Sequence, residues 1–185
     1  MKRALFLDRD GILDELMFYP SSDEWESPRT PADVVMIDGV SDPLRRFADA
    51  GWLLVIVTNQ PSAAKEKTTQ QELIDVHAKV LALLDVPIAK SYLCFHRAED
   101  QCECRKPKPY FVREAARELD IDLAESWMAG DQDSDLACGR AAGCRVALIE
   151  HHGSAHKRGA IEPNLRCESL DELATALILT SSAQP

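Results

Sequence analysis

Two aspartates one residue apart close the apolar run Leu5-Phe6-Leu7, giving Asp8-Arg9-Asp10-Gly11, and three later segments carry groups that complement them. These are Val57-Thr58-Asn59-Gln60, the run from Cys104 to Pro109 that holds Arg105 and Lys106, and the run from Met128 to Asp135 that holds Asp131. Two carboxylates, a hydroxyl, a lysine and a second acidic pair are the equipment for moving a phosphoryl group through an aspartyl-phosphate. In this reading Asp8 attacks phosphorus, while Asp10 protonates the leaving alkoxide and then activates the water that cleaves the acyl phosphate. Successive strand residues point to opposite faces, so Asp8 and Asp10, two apart, are expected on one face at the strand end, and Gly11 permits the bend that follows. Asp and Gly are also ordinary turn residues. The order of all four segments is what lifts this one above a solvated turn.

A second constellation is Cys94-x-His96 followed, after five residues, by Cys102-x-Cys104. Cys3His is a closed, tetrahedral zinc set, which makes the expected Zn2+ structural. Free cysteines are often small core residues. That explanation suits Cys138, Cys144 and Cys167, but not Cys102 and Cys104, which are flanked by Gln101, Glu103 and Arg105. The loop 94–104 is too polar to be ordered by a core, so the metal is expected to order it and to aim Arg105 and Lys106 at the site.

The elements that must position these groups are legible from periodicity. Short apolar runs at Ala4–Leu7, Trp52–Val57, Ser91–Cys94, Trp127–Gly130 and Arg145–Ile149 predict strands. Three- and four-residue apolar spacing predicts helices over Thr69–Leu84, Pro109–Leu119, Ser134–Ala142 and Ser169–Leu179. Strands alternating with helices imply an α/β fold, a Rossmann-like three-layer sandwich with a mostly parallel central sheet. The segment Asp14–Asp38, rich in Pro and Ser, is expected to be an irregular excursion at the rim of the site. His151–Arg158, dense in histidine and cations, is expected to be a solvated loop, with contact to a second phosphate as the alternative. The polar tail 180–185 is expected to fray.

With 185 residues the chain has the length of one domain, 1–185, with a full core. Its formal net charge of −10 argues against nucleic acid and acidic membrane surfaces as partners. No apolar segment approaches the ~20 residues of a membrane span, and no signal-peptide pattern is present. A cytoplasmic monomer acting on a small phosphorylated metabolite is expected, its six cysteines reduced or metal-bound.

On these motifs, from Ala4 to about Ile149, the chain resembles phosphatases of the haloacid dehalogenase superfamily. The resemblance implies that Asp8 is the nucleophile and Asp10 the acid/base, and that Thr58 and Lys106 hold the phosphoryl oxygens. It also implies a Mg2+ site made by Asp8, the backbone carbonyl of Asp10, and Asp131, supported by Asp135. Cys-x-His, Cys-x-Cys-Arg-Lys-Pro, Asp-Arg-Asp-Gly and Thr-Asn-Gln together resemble the zinc-containing, capless branch, which includes D-glycero-D-manno-heptose 1,7-bisphosphate and histidinol-phosphate phosphatases. That branch implies a sugar bisphosphate losing its 7-phosphate as substrate, with histidinol phosphate as the alternative. Arg9, Asn59, Gln60, Lys65 and Arg105 are the expected substrate contacts. Pro61-Ser62-Ala63-Ala64-Lys65-Glu66 stands where the heptose branch has Ser-Gly-Ile and an Arg-Gly pair, with Lys65 replacing the arginine. A DNA 3′-phosphatase shares two motifs but conflicts with the charge. A catalytically inert zinc-stabilised module conflicts with the intact acidic set.

Overall fold

In the computed structural model, which describes residues 1–181, six parallel strands make the central sheet. In chain order the strands are β1 (Ala4–Leu7), β2 (Met17–Tyr19), β3 (Glu24–Glu26), β4 (Leu53–Asn59), β5 (Ile88–Cys94), β6 (Trp127–Gly130), β7 (Arg145–Ile149) and β8 (Leu165–Cys167). The sheet runs β5-β4-β1-β6-β7-β8, while β2 and β3 pair apart from it as an antiparallel hairpin. The helices are α1 (Ser41–Asp49), α2 (Gln70–Leu84), α3 (Tyr110–Leu119), α4 (Asp133–Ala142) and α5 (Leu170–Ser181).

β1 sits at the centre because all four of its side chains are apolar and can be buried on both faces. Leu5 and Leu7 enter one core with Leu44 and Phe47 of α1, Val76 and Val80 of α2, and Leu173 of α5. Ala4 and Phe6 enter the other with Val112 of α3 and Leu136 of α4. Helices therefore cover both sheet faces. From β1 the chain builds outward through β4 to β5, then crosses to β6, β7 and β8 on the other side. A crevice opens at such a reversal, beyond the C-terminal ends of the strands, and ligands of open α/β sheets bind there.

The strands expected at Ala4–Leu7, Trp127–Gly130 and Arg145–Ile149 have those bounds, and α2 begins after the cap Thr69, whose hydroxyl accepts from Glu72 N at 3.2 Å. Three features depart from expectation. Asp14–Asp38 is not wholly irregular, since it contains the β2–β3 hairpin. α1 and β8 were not anticipated. β8 has only three residues, and α1 buries just Pro43, Leu44 and Phe47 amid charges. The tail expected to fray lies outside the described residues from position 182, while α5 continues through Ser181. Among the described residues no helix is long and apolar enough to cross a membrane.

Candidate active site

Asp8 directly follows β1, Thr58 and Asn59 end β4, Cys94 ends β5 and Asp131 directly follows β6, so the parallel register delivers all of them to one edge of the sheet. Asp8 N donates to Ala129 O at 3.0 Å, which ties the first carboxylate to the strand carrying the last. Glycines let the acids crowd. Gly11 has φ +79°, and a Cβ there would lie 2.5 Å from an Asp131 carboxylate oxygen; one on Gly130 would lie 2.2 Å from Asp135 Cβ.

Lys106 bridges two of these acids, its Nζ lying 2.8 Å from Asp8 Oδ1 and 2.7 Å from Asp135 Oδ1 with the side chain 2% exposed. Burial opposes its charge, but Asp135 and Asp8 more than offset that, so it is held protonated more firmly than an ordinary lysine. Burial pushes Asp8 up to about 7; Lys106 opposes the rise, and Asp135 and Asp10 add to it. Asp131 is also pushed up to about 7, by burial first and then by Asp8. Both oxygens of Asp131 are buried and make no hydrogen bond among the described residues. Carboxylate oxygens of Asp8, Asp131 and Asp135 all lie within 4.8 Å of one another. Orphaned, mutually repelling hard oxygen donors fit a divalent cation such as Mg2+.

Asp10 is gripped on both oxygens. Arg9 Nη2 donates to Oδ1 at 2.7 Å, while Gln60 Nε2 donates to Oδ2 at 2.5 Å and to Thr58 Oγ1 at 2.9 Å. Thr58 Oγ1 itself lies 3.4 Å from Asp10 Oδ2. Arg9 and Gln60, both expected substrate contacts, are each 0% exposed, and their side chains hold Asp10 and Thr58 from beneath. Arg9 turns inward because strand alternation sends it away from the cleft, toward Asp14, whose Oδ1 lies 3.6 Å from Arg9 Nε. Asn59 lines the cleft, and its Nδ2 donates to Lys106 O while its Oδ1 accepts from Lys106 N, both at 3.1 Å, so the amide sets the lysine loop in place.

The remaining expected residues are brought together. Asp135 Oδ2 accepts from Gln132 N at 3.1 Å, closing the first turn of α4. Asp8 and Asp10 floor a cleft of about 260 Å³, with Lys65, Arg105, Trp25 and Lys157 among its walls. The hairpin thus forms the rim, as its position in the chain suggested. Sequence reasoning missed Asp14 and His77 beneath the site, and Ser154, whose Oγ donates to Asp131 O at 3.3 Å. Asp14 carries a weak signal as a charge within an apolar stretch; the other two carry none.

The cysteine loop has the dimensions of a metal cage. Sγ–Sγ separations are 3.7 Å for Cys94–Cys102, 3.3 Å for Cys94–Cys104 and 3.5 Å for Cys102–Cys104. His96 Nδ1 lies 3.6 Å from Cys94 Sγ and 3.3 Å from Cys104 Sγ. A tetrahedron with Zn–S bonds of about 2.3 Å has edges of about 3.7 Å, so the four donors fit Zn2+. Arg105 Nη1 donates to His96 O at 3.1 Å, tying the cleft wall to this cage.

A family model described as HAD-hydrolase-like matches residues 103–173. D-glycero-beta-D-manno-heptose-1,7-bisphosphate 7-phosphatase of Bordetella bronchiseptica is 31% identical over 185 residues, covering 95% of this chain and 98% of that protein. The enzyme of the same name from Haemophilus ducreyi is 34% identical over 164 residues, 83% of this chain and 86% of that one. Among solved structures, D,D-heptose 1,7-bisphosphate phosphatase from B. bronchiseptica, complexed with magnesium and phosphate, superposes with a TM-score of 0.81 at 28% identity, covering 97% of this chain and 99% of that one.

Proposed function

The chain belongs to the haloacid dehalogenase superfamily of phosphatases, and from that premise we propose that it removes the 7-phosphate of a D-glycero-D-manno-heptose 1,7-bisphosphate through an aspartyl-phosphate on Asp8. The observation that carries the chemistry is the buried Lys106 bridge between Asp8 and Asp135 beside the orphaned Asp131. Asp8, the backbone carbonyl of Asp10, and Asp131 would hold Mg2+, which when bound supplies positive charge against the phosphoryl oxygens and the nucleophile. Cys94, His96, Cys102 and Cys104 would hold a structural Zn2+.

Within that frame the side chains divide the work. Asp8 is kept near the cleft floor by Lys106, and its other oxygen is the one available for attack on phosphorus. The lysine's charge balances the oxygens that shift from substrate to Asp8. Asp10, fixed by Arg9 and Gln60, gives its proton to the leaving alkoxide and takes one from water in the second half of the reaction. Burial excludes bulk water from both carboxylates, which strengthens each of these interactions.

The cleft walls favour a bisphosphate over histidinol phosphate. Lys65 and Arg105 line the cleft and, among the described residues, form no salt bridge with a carboxylate. Unpaired cations attract a second phosphate and repel the ammonium group of histidinol phosphate. The test compares kcat/KM for heptose 1,7-bisphosphate, heptose 7-phosphate and histidinol phosphate. A clear preference for the bisphosphate is expected, with one equivalent of phosphate released; preference for histidinol phosphate would overturn the substrate assignment.

A further inference from the structure

The segment His151–Arg158 is not the solvated loop its composition suggests. His151 is 8% exposed, and Gly153 and Ser154 are buried. His151 Nδ1 accepts from Gly153 N at 3.2 Å, which leaves the ring proton on Nε2, 2.8 Å from Glu15 Oε2. Ser154 Oγ reaches Asp131 O and His151 O, and Arg158 Nη1 donates to His151 O at 2.8 Å. The His152 ring stands edge-on to Trp25 of the rim hairpin, centroids 4.8 Å apart, and Gly153 is small because a Cβ there would meet Trp25 and Leu16 at 3.2 Å. The turn is thus pinned to the floor of the site, to the loop after β1 and to the rim.

What this pinned turn presents outward is Lys157, an exposed lysine on the wall of the cleft. Among the described residues it forms no salt bridge, and the same holds for Lys65 and Arg105, which come from the loops after β4 and β5. Glu26, an acid on the same wall, is already neutralised by Lys67 at 2.6 Å and Arg29 at 3.0 Å. Glu24, also on this wall, has no salt bridge among the described residues, but the three cations outnumber it, so in a chain of net charge −10 the cleft wall is locally positive and suited to an anion.

We infer that Lys157, carried by the His151-anchored turn, is a specificity-determining residue that grips the anionic group of the substrate distal to the scissile phosphate. This rests on the bisphosphate reading above and adds a third loop to it. Because the turn is fixed on three sides, the lysine is offered from a rigid base, and the ordering cost of binding is lowered.

The experiment measures kcat/KM of wild type, Lys157→Ala, Lys157→Arg and Lys157→Glu on heptose 1,7-bisphosphate, heptose 7-phosphate and p-nitrophenyl phosphate. Lys157→Ala is expected to lose about tenfold more on the bisphosphate than on p-nitrophenyl phosphate, chiefly through KM, as for loss of one charged hydrogen bond. Lys157→Arg is expected to retain most of the preference, and Lys157→Glu to lose more than Lys157→Ala. Equal losses on all three substrates, or an undiminished bisphosphate preference in Lys157→Ala, would overturn the inference while leaving the bisphosphate reading standing. A wild type without preference for the bisphosphate over the monophosphate would sink both.

Discussion

Replacing Arg9 by Met tests whether the floor of the site is held by charge or only by packing. Arg9 is 0% exposed, with Asp10 Oδ1 at 2.7 Å and Asp14 Oδ1 at 3.6 Å. Asp14 is 0% exposed as well, and neither of its oxygens has a hydrogen bond among the described residues. Met fills the space of the arginine stem but leaves the buried Asp14 carboxyl without its cation, so that it must be held protonated or stay charged and unpaired, and removing one partner of a buried pair costs about 3–5 kcal/mol. With an m-value of about 2 kcal/mol/M, the urea midpoint should fall by about 2 M. Burial already holds the Asp14 carboxyl well above the usual carboxylate range, with Asp10 adding to the rise and Arg9 opposing it. Without Arg9 it should rise further. The native variant then keeps a proton that the unfolded chain has released, so its stability falls as pH rises, and the deficit should be larger at about pH 8 than at about pH 5. The double variant Arg9→Met/Asp14→Leu removes both charges and should recover much of the loss. A midpoint shift below about 0.5 M, the same at both pH values, would refute this picture of the floor.

Two other perturbations bear on the metal sites. Asp8 and Asp131, each pushed up to about 7 chiefly by burial, bind protons in the native state that the unfolded chain has lost, so the metal-free protein should lose stability as pH rises from about 4 through 7. Adding Mg2+ should therefore raise Tm more at about pH 8 than at about pH 5.5, and an equal gain at both would contradict the shared-carboxylate site. Cys102→Ser should lower zinc content from about one per chain and slow turnover indirectly, by loosening the loop that carries Arg105 and Lys106. Elemental analysis of the wild-type protein finding no zinc would remove the cage from the account.

The sheet was legible because its buried strands are short apolar runs bounded by charge, and Asp8 and Asp131 sit where such runs stop. The convergence of Lys106 on Asp8 was legible only as a family resemblance, since 98 residues of sequence position carry no distance information. Side-chain direction is the level that the sequence does not reach. Arg9, Asn59 and Gln60 are polar neighbours of catalytic positions, and no local pattern shows which protein groups each one holds: Arg9 on Asp10 and Asp14, Asn59 on the Lys106 backbone, Gln60 on Asp10 and Thr58. Alternation along a strand end settles such questions only once the bend at Gly11 is known. His151–Arg158 misled for a related reason, since its polar atoms are satisfied by Glu15 and by main-chain groups that no local pattern reveals.

The central claim is that phosphate passes through Asp8. Rapid acid quench of Asp10→Asn with heptose 1,7-bisphosphate, followed by peptide mass spectrometry, measures this directly, because slowing hydrolysis of the intermediate lets it accumulate. An acyl phosphate on the peptide containing Asp8, labile to base and absent when Asp8 is also replaced by Asn, is the predicted result. Turnover near the wild-type rate in Asp8→Asn, with no phosphopeptide in either protein, would contradict the account.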